Sequence, residues 1–161
     1  MIVNKIFHFN LKSTRASLLK FSLVFLIHNT PIAQARAIAG DFIIAVGQQR
    51  MNEKIDKDTV MRAFLGEMTK WPDNSRLLPA HPKSNSLTFK EFSDQVLETS
   101  TSEYLVTWRR KLFSGRGLPP KELSSDSELL DFLKKNSDAM ILLKERPKNT
   151  DGLFLVEISV K

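Results

Sequence analysis

Hydrophobic positions after residue 41 occur in short runs that alternate with segments of helical spacing. The runs at residues 42–46, 139–143 and 153–160 are rich in branched and aromatic side chains, which is typical of strands buried in a sheet. Residues 76–80, closed by Pro82, form a shorter strand candidate. The pattern therefore predicts a sheet of at least four strands.

Apolar side chains three or four positions apart predict four helices between these strands. We expect the N-caps at Asp56, at Ser84 or Ser86, at Ser102, and at Ser125 or Asp126. The expected inward-facing residues are Val60, Met61 and Phe64; Phe89, Phe92, Val96 and Leu97; Leu105, Trp108 and Leu112; and Leu129, Leu130 and Leu133. The order β-α-β-α-α-α-β-β predicts a single α/β sandwich with a mixed sheet.

Residues 1–35 have the pattern of a secretory signal peptide. They carry four basic residues and no acidic one, then a short apolar run at residues 21–27 and the small-residue pattern Ala33-Gln34-Ala35. The run is shorter than the roughly 20 residues that span a bilayer. We expect cleavage after Ala35 or after Ala37, leaving residues 36–161 as one exported domain without stable membrane insertion. A buried first helix and a retained membrane anchor are the alternatives.

Composition and charge exclude several kinds of functional site and binding partner. The 161 residues contain no cysteine, which excludes disulfide scaffolds, cysteine nucleophiles and iron–sulfur clusters. The net charge of +6 suggests an anionic partner at first. Subtracting the four basic residues of the leader from 24 leaves 20, against 18 acidic residues, or +2. We therefore expect no nucleic-acid partner.

The sequence contains few residues or motifs that could support catalysis. Residues 36–161 contain one histidine, His81, so a transition-metal site is not expected. No nucleophile elbow, zinc-protease motif, phosphate-binding loop or dinucleotide fingerprint is present. We expect no enzyme activity, no catalytic residue, no metal and no cofactor.

Anion binding has better support at the start of the second predicted helix. Free backbone N–H groups and the helix dipole attract anions there. The hydroxyls of Ser84, Ser86 and Thr88 would add donors, and Lys83 would add positive charge. The alternative is that Ser86 only caps its helix. Ser114 and Arg116, beside two loop glycines, are secondary anion-binding candidates.

Two segments resemble a known family. Residues 64–73 (FLGEMTKWPD) and 108–120 (WRRKLFSGRGLPP) are similar to segments of the substrate-binding proteins of phosphate ABC importers, especially of their small single-domain relatives. The resemblance implies a type 2 periplasmic-binding-protein-like fold, a three-layer α/β sandwich, and a periplasmic location. It also implies weak binding of phosphate or a similar small oxyanion, and an ABC permease or an envelope protein as partner.

The resemblance leaves two functions open. Ser86 and Thr88 fall on hydroxyl residues of the family's phosphate loop, whereas Pro82, Ser84 and Leu87 fall where that family has Arg, Asp and Gly. The first hypothesis is an oxyanion-binding protein linked to ABC-type phosphate uptake or sensing. The second is a periplasmic protein-interaction module that keeps the fold but has lost solute transport.

Overall fold

The structure is a computed structural model that describes residues 42–160. The expected signal peptide and both cleavage positions lie outside the described residues. Within residues 42–160, none of the helices combines the length and the apolar character needed to cross a membrane.

Five strands and four helices follow one another along the described chain. In order they are β1 (Phe42–Gly47), a short 3-10 helix (Gln48–Arg50), α1 (Lys57–Phe64), β2 (Leu78–Pro82), α2 (Leu87–Gln95), α3 (Thr101–Phe113), β3 (Lys121–Leu123), α4 (Asp126–Lys135), β4 (Ala139–Leu143) and β5 (Leu153–Ile158). The predicted alternation of strands and helices is confirmed, with one additional strand, β3.

The strands form one mixed sheet in the order β3-β2-β4-β1-β5. Strand β2 runs parallel to both β3 and β4, whereas β1 is antiparallel to β4 and β5. The carboxyl ends of β2, β3 and β4 therefore lie at the same edge of the sheet. In open α/β sheets this edge is where ligands usually bind.

Two apolar clusters, one on each face of the sheet, produce three layers. Along β1, Ile44 and Val46 pack with α1, α2 and α3, whereas Ile43 and Ala45 pack with α4. This alternation follows from the two-residue period of a strand. All of β1 is buried, which explains why its sequence is a continuous apolar run. The predicted sandwich with a mixed sheet is confirmed.

Three of the predicted helix starts are confirmed. The Asp56 carboxylate accepts the Thr59 N–H at 2.9 Å, and Ser86 and Ser125 cap α2 and α4 in the same way. The prediction for α3 is wrong, because Ser100 caps it and not Ser102. Ser100 and Glu103 form a capping box, in which each side chain bonds the other residue's backbone N–H.

The buried face of α3 also differs from the predicted one. Tyr104 and Trp108 are buried, whereas Leu105 and Leu112 are 40% and 45% exposed. The predicted inward stripe of Leu105, Trp108 and Leu112 is therefore wrong at both leucines. Strand β2 starts two residues later than predicted and includes Pro82.

Candidate functional site

An open cleft lies at the carboxyl ends of β2 and β3, and we call it the Lys83 cleft. Its volume is about 440 Å³. It is lined by Lys83, Ser84, Asn85, Lys90, Thr101, Ser102, Leu105 and Glu122. It lies between the loop after β2, the side of α2, the first turn of α3 and strand β3.

Strand pairing places a carboxylate in this cleft. His81 of β2 is the register partner of Glu122 in β3, so the Glu122 side chain reaches the residues that follow β2. The Ser84 hydroxyl donates a hydrogen bond to Oε1 of Glu122. The cleft is therefore lined by two basic residues, Lys83 and Lys90, and one acidic residue.

The first turn of α3 supplies hydrogen-bond donors. The capping box satisfies the N–H groups of Ser100 and Glu103, but in residues 42–160 those of Thr101 and Ser102 have no partner. The Ser93 hydroxyl donates to the Lys90 carbonyl at 2.9 Å, so it must accept its 2.9 Å bond from Thr101. The Ser102 hydroxyl and two backbone N–H groups remain available to a ligand.

A buried pair fixes β2 against α3 beneath the cleft. Nδ1 of His81 lies 2.6 Å from the Pro82 carbonyl, which can only accept, so Nδ1 carries the proton. Nε2 then accepts from the Tyr104 hydroxyl at 3.2 Å. Burial lowers the pKa of His81 and raises that of Tyr104, so both are neutral. The pair holds the two elements that carry Lys83 and Thr101.

The predicted anion-binding residues divide between several places. Lys83 and Ser84 line the cleft, whereas Ser86 and Thr88 do not. The Ser86 oxygen accepts the Phe89 N–H at 3.2 Å, which matches the alternative that it caps α2. Arg116 lines a separate cavity near Gly66 and Trp108.

Ser114, the other secondary anion-binding candidate, forms a hydrogen bond within the protein. Ser114 is the C-cap of α3, and its hydroxyl donates to the Lys111 carbonyl at 3.1 Å. Sequence reasoning missed Lys90, Thr101, Ser102 and Glu122 of the cleft. No local signal identifies them, because α3 and the three-residue strand β3 bring them to the cleft only through packing and pairing.

Trp71 and Asp73, at the end of the segment of residues 64–73, have a structural role. Nη1 of Arg50 lies 2.8 Å from the Asp73 carboxylate, and its Nη2 bonds Asp138. The guanidinium stacks on Trp71 at 4.9 Å, and the Trp71 indole N–H donates to the Asp138 carbonyl at 2.8 Å. Hydrogen bonds from Ser75 and from Arg50 lower the pKa of Asp73 to about 2. This cluster joins the 3-10 helix, the 71–75 turn and the start of β4.

No protein-family model matches the sequence, and no curated protein matches it. Among the residues that the structure describes, no group of three or more metal-ligating side chains is found.

Two solved structures resemble the chain in fold. An ABC-type phosphate transport receptor from Vibrio cholerae has a TM-score of 0.52 and 14% identity, covering 75% of this chain and 46% of that one. PstS from Borrelia burgdorferi has a TM-score of 0.47 and 12% identity, covering 64% and 40%. The chain thus spans less than half the length of either structure. The likeness to part of the Vibrio cholerae receptor is one of fold, and it agrees with the three-layer α/β sandwich and mixed sheet described above.

Proposed function

We propose that the protein binds phosphate or a similar small oxyanion, weakly, in the Lys83 cleft. The observation that carries this proposal is the meeting of Lys83 and Lys90 with the unpaired N–H groups at the start of α3. Ammonium groups and helix N-termini are the usual partners of oxyanions in proteins. The protein would act as an exported substrate-binding-like protein linked to ABC-type phosphate uptake or sensing.

Glu122 favours phosphate within the class of oxyanions. Its carboxylate can accept a hydrogen bond from the O–H of monohydrogen phosphate, whereas sulfate carries no proton at neutral pH. One oxygen accepts from Ser84, and the second has no partner among the described residues. The carboxylate also opposes part of the charge of the two lysines, and the cleft is open to solvent, so we expect low affinity.

Titration calorimetry of the purified protein tests this proposal. We expect millimolar phosphate affinity, with sulfate bound more weakly. Lys83→Gln and Lys90→Gln should each weaken phosphate binding about three- to tenfold, because each removes one charge-assisted contact. Lys148→Gln, which removes an exposed charge outside the cleft, is the matched control. A folded protein that releases no heat with phosphate at tens of millimolar would contradict the proposal.

The second candidate function is a protein-interaction module, and exposed apolar residues favour it. Leu112, Phe113 and Leu118 are 45%, 83% and 63% exposed, at the end of α3 and in the loop after it. Clustered exposed apolar side chains commonly mark interaction sites. If this function is correct, cross-linking in the envelope should attach one defined protein near Phe113. Phe113→Ser should abolish that product, while the protein remains folded.

Export is part of the same proposal. The signal pattern of residues 1–35 supports cleavage after Ala35 or Ala37, followed by release into the periplasm. Mass spectrometry of the protein from the periplasmic fraction should show Arg36 or Ile38 as the first residue. A full-length mass confined to the cytoplasm would contradict export, whatever the calorimetry shows.

A further inference from the structure

A second cavity lies near the amino ends of β2 and β3, at the sheet edge opposite the Lys83 cleft. Its volume is about 210 Å³. Its walls include Leu77 and Pro79 at the start of β2 and Pro120 just before β3. We call it the arginine cavity, because Arg76 and Arg116 both line it.

Charge distinguishes this cavity from the Lys83 cleft. No acidic residue lines it. Among the other arginines of residues 42–160, Arg50, Arg62 and Arg146 pair with carboxylates, whereas Arg109 and Arg110 do not. In residues 42–160 neither Arg76 nor Arg116 forms such a pair. Two guanidinium groups are therefore available to an external anion.

The cavity also has a fixed apolar wall. Trp108 lines it, and the indole N–H of this residue donates to the Phe64 carbonyl at 3.1 Å, which fixes the ring plane. Leu77 and Ala63 add buried apolar surface. An aromatic ring beside an apolar floor favours a flat or compact apolar body, whereas inorganic phosphate would leave this surface unused.

We propose that the arginine cavity binds a small organic anion, with an apolar, ring-sized body on Trp108 and its carboxylate or phosphoryl group between Arg76 and Arg116. The guanidinium group is suited to this role because its planar fork of N–H donors matches an oxyanion. This ligand differs from the inorganic oxyanion proposed for the Lys83 cleft, and the two sites lie at opposite ends of β2.

An NMR titration of isotope-labelled protein with phenyl phosphate tests the inference. We expect shifts of the Gly66 and Gly117 amides and of the Trp108 indole N–H. Arg76→Gln and Arg116→Gln should each weaken binding about tenfold, and the double variant should lose it. Arg110→Gln, an exposed arginine outside this cavity, should bind like the wild type. Phenol and inorganic phosphate should each cause these shifts at least tenfold less effectively.

Ligand binding in the arginine cavity can be tested independently of phosphate binding in the Lys83 cleft. In the Lys83→Gln protein the shifts of Gly66, Gly117 and Trp108 should persist with unchanged affinity. Unperturbed spectra of the ligand-free variants would establish that they are folded. The inference is overturned if phenyl phosphate leaves these three resonances unchanged, or if the folded double variant binds as tightly as the wild type.

Discussion

Trp108 occupies the space that a side chain at position 66 would need. A Cβ atom on Gly66 would lie 2.3 Å from Cη2 of the indole, and Gly66 has a positive φ of 70°. Gly66 lies in the segment of residues 64–73, and Trp108 begins the segment of residues 108–120. The two segments therefore contact each other where the end of α1 meets α3.

The first prediction concerns this contact. Gly66→Ala should destabilise the protein by about 3 kcal/mol, because the new Cβ adds a clash with Trp108 to the strain of a left-handed backbone. Gly115→Ala is the matched control, since Gly115 has a φ of 69° and an added Cβ would meet no atom within 4 Å. It should cost only about 1 kcal/mol. Urea unfolding measures both values, and equal losses would show that the Trp108 contact is unimportant.

The second prediction concerns the Arg50 cluster. Arg50 is buried, and its removal leaves Asp73 and Asp138 without their shared cation. Arg50→Met should cost about 3 kcal/mol in the free energy of unfolding, at the low end for a broken buried pair because both carboxylates keep some contact with water. Arg146→Met breaks the exposed pair with Glu157 and should cost less than about 1 kcal/mol. Similar costs in denaturant unfolding would argue against a structural role for the cluster.

The fold was largely predictable because its strongest signals are local. The strands β1 and β4 are buried on both faces, so their sequences are continuous apolar runs. Strand β3 was not predictable from residues 121–123, because Lys-Glu-Leu is too short to show an alternating pattern and forms a strand only by pairing with β2. At α3 the capping box at Ser100 was present in the sequence, and Ser102 was the wrong choice among neighbouring hydroxyl residues.

The third prediction concerns pH. Burial lowers the pKa of His81, which is stacked on Phe89 at 4.0 Å. The unfolded chain therefore binds a proton at His81 below about pH 6.5 that the folded chain does not bind. The free energy of unfolding should have its full value above pH 6.5. It should fall by up to about 1.4 kcal/mol per pH unit as the pH decreases towards 5.

A variant isolates this effect. His81→Gln removes the titrating group and keeps a polar partner for Tyr104, so its stability should change less between pH 7.5 and 5. Thermal unfolding of both proteins over this range measures the difference. Parallel pH profiles would show that His81 is protonated equally well in the folded and unfolded chains.

The fourth prediction concerns discrimination between anions. Glu122→Gln removes a negative charge from the Lys83 cleft, so sulfate should bind about three- to tenfold more tightly. The affinity for phosphate should increase less, because the substitution also removes the carboxylate that accepts the hydrogen bond from the phosphate O–H. Calorimetric titration should therefore show a lower ratio of phosphate to sulfate affinity. Glu91→Gln, on the exposed side of α2, should leave that ratio unchanged, and an unchanged ratio in Glu122→Gln would exclude a role for Glu122 in selectivity.

Only some residues of the Lys83 cleft could be predicted from the sequence. Lys83 and Ser84 follow a strand and precede a helix, which is a recognisable local pattern. Glu122 enters the cleft through the register of a strand that the sequence does not signal, and Thr101 enters it because α3 packs beside α2. Contacts of this kind depend on tertiary packing, and no short segment encodes them.

The central claim is that the Lys83 cleft binds an oxyanion, and an NMR titration with inorganic phosphate tests it most directly. We predict that phosphate shifts the amide resonances of Lys83, Ser84, Thr101 and Ser102, and that all four shifts follow the same dissociation constant in the millimolar range. The Lys83→Gln substitution should weaken the response of all four resonances. If these resonances stay unchanged in a folded protein at saturating phosphate, or if the shifts occur only around Arg76 and Arg116, the proposed function is contradicted.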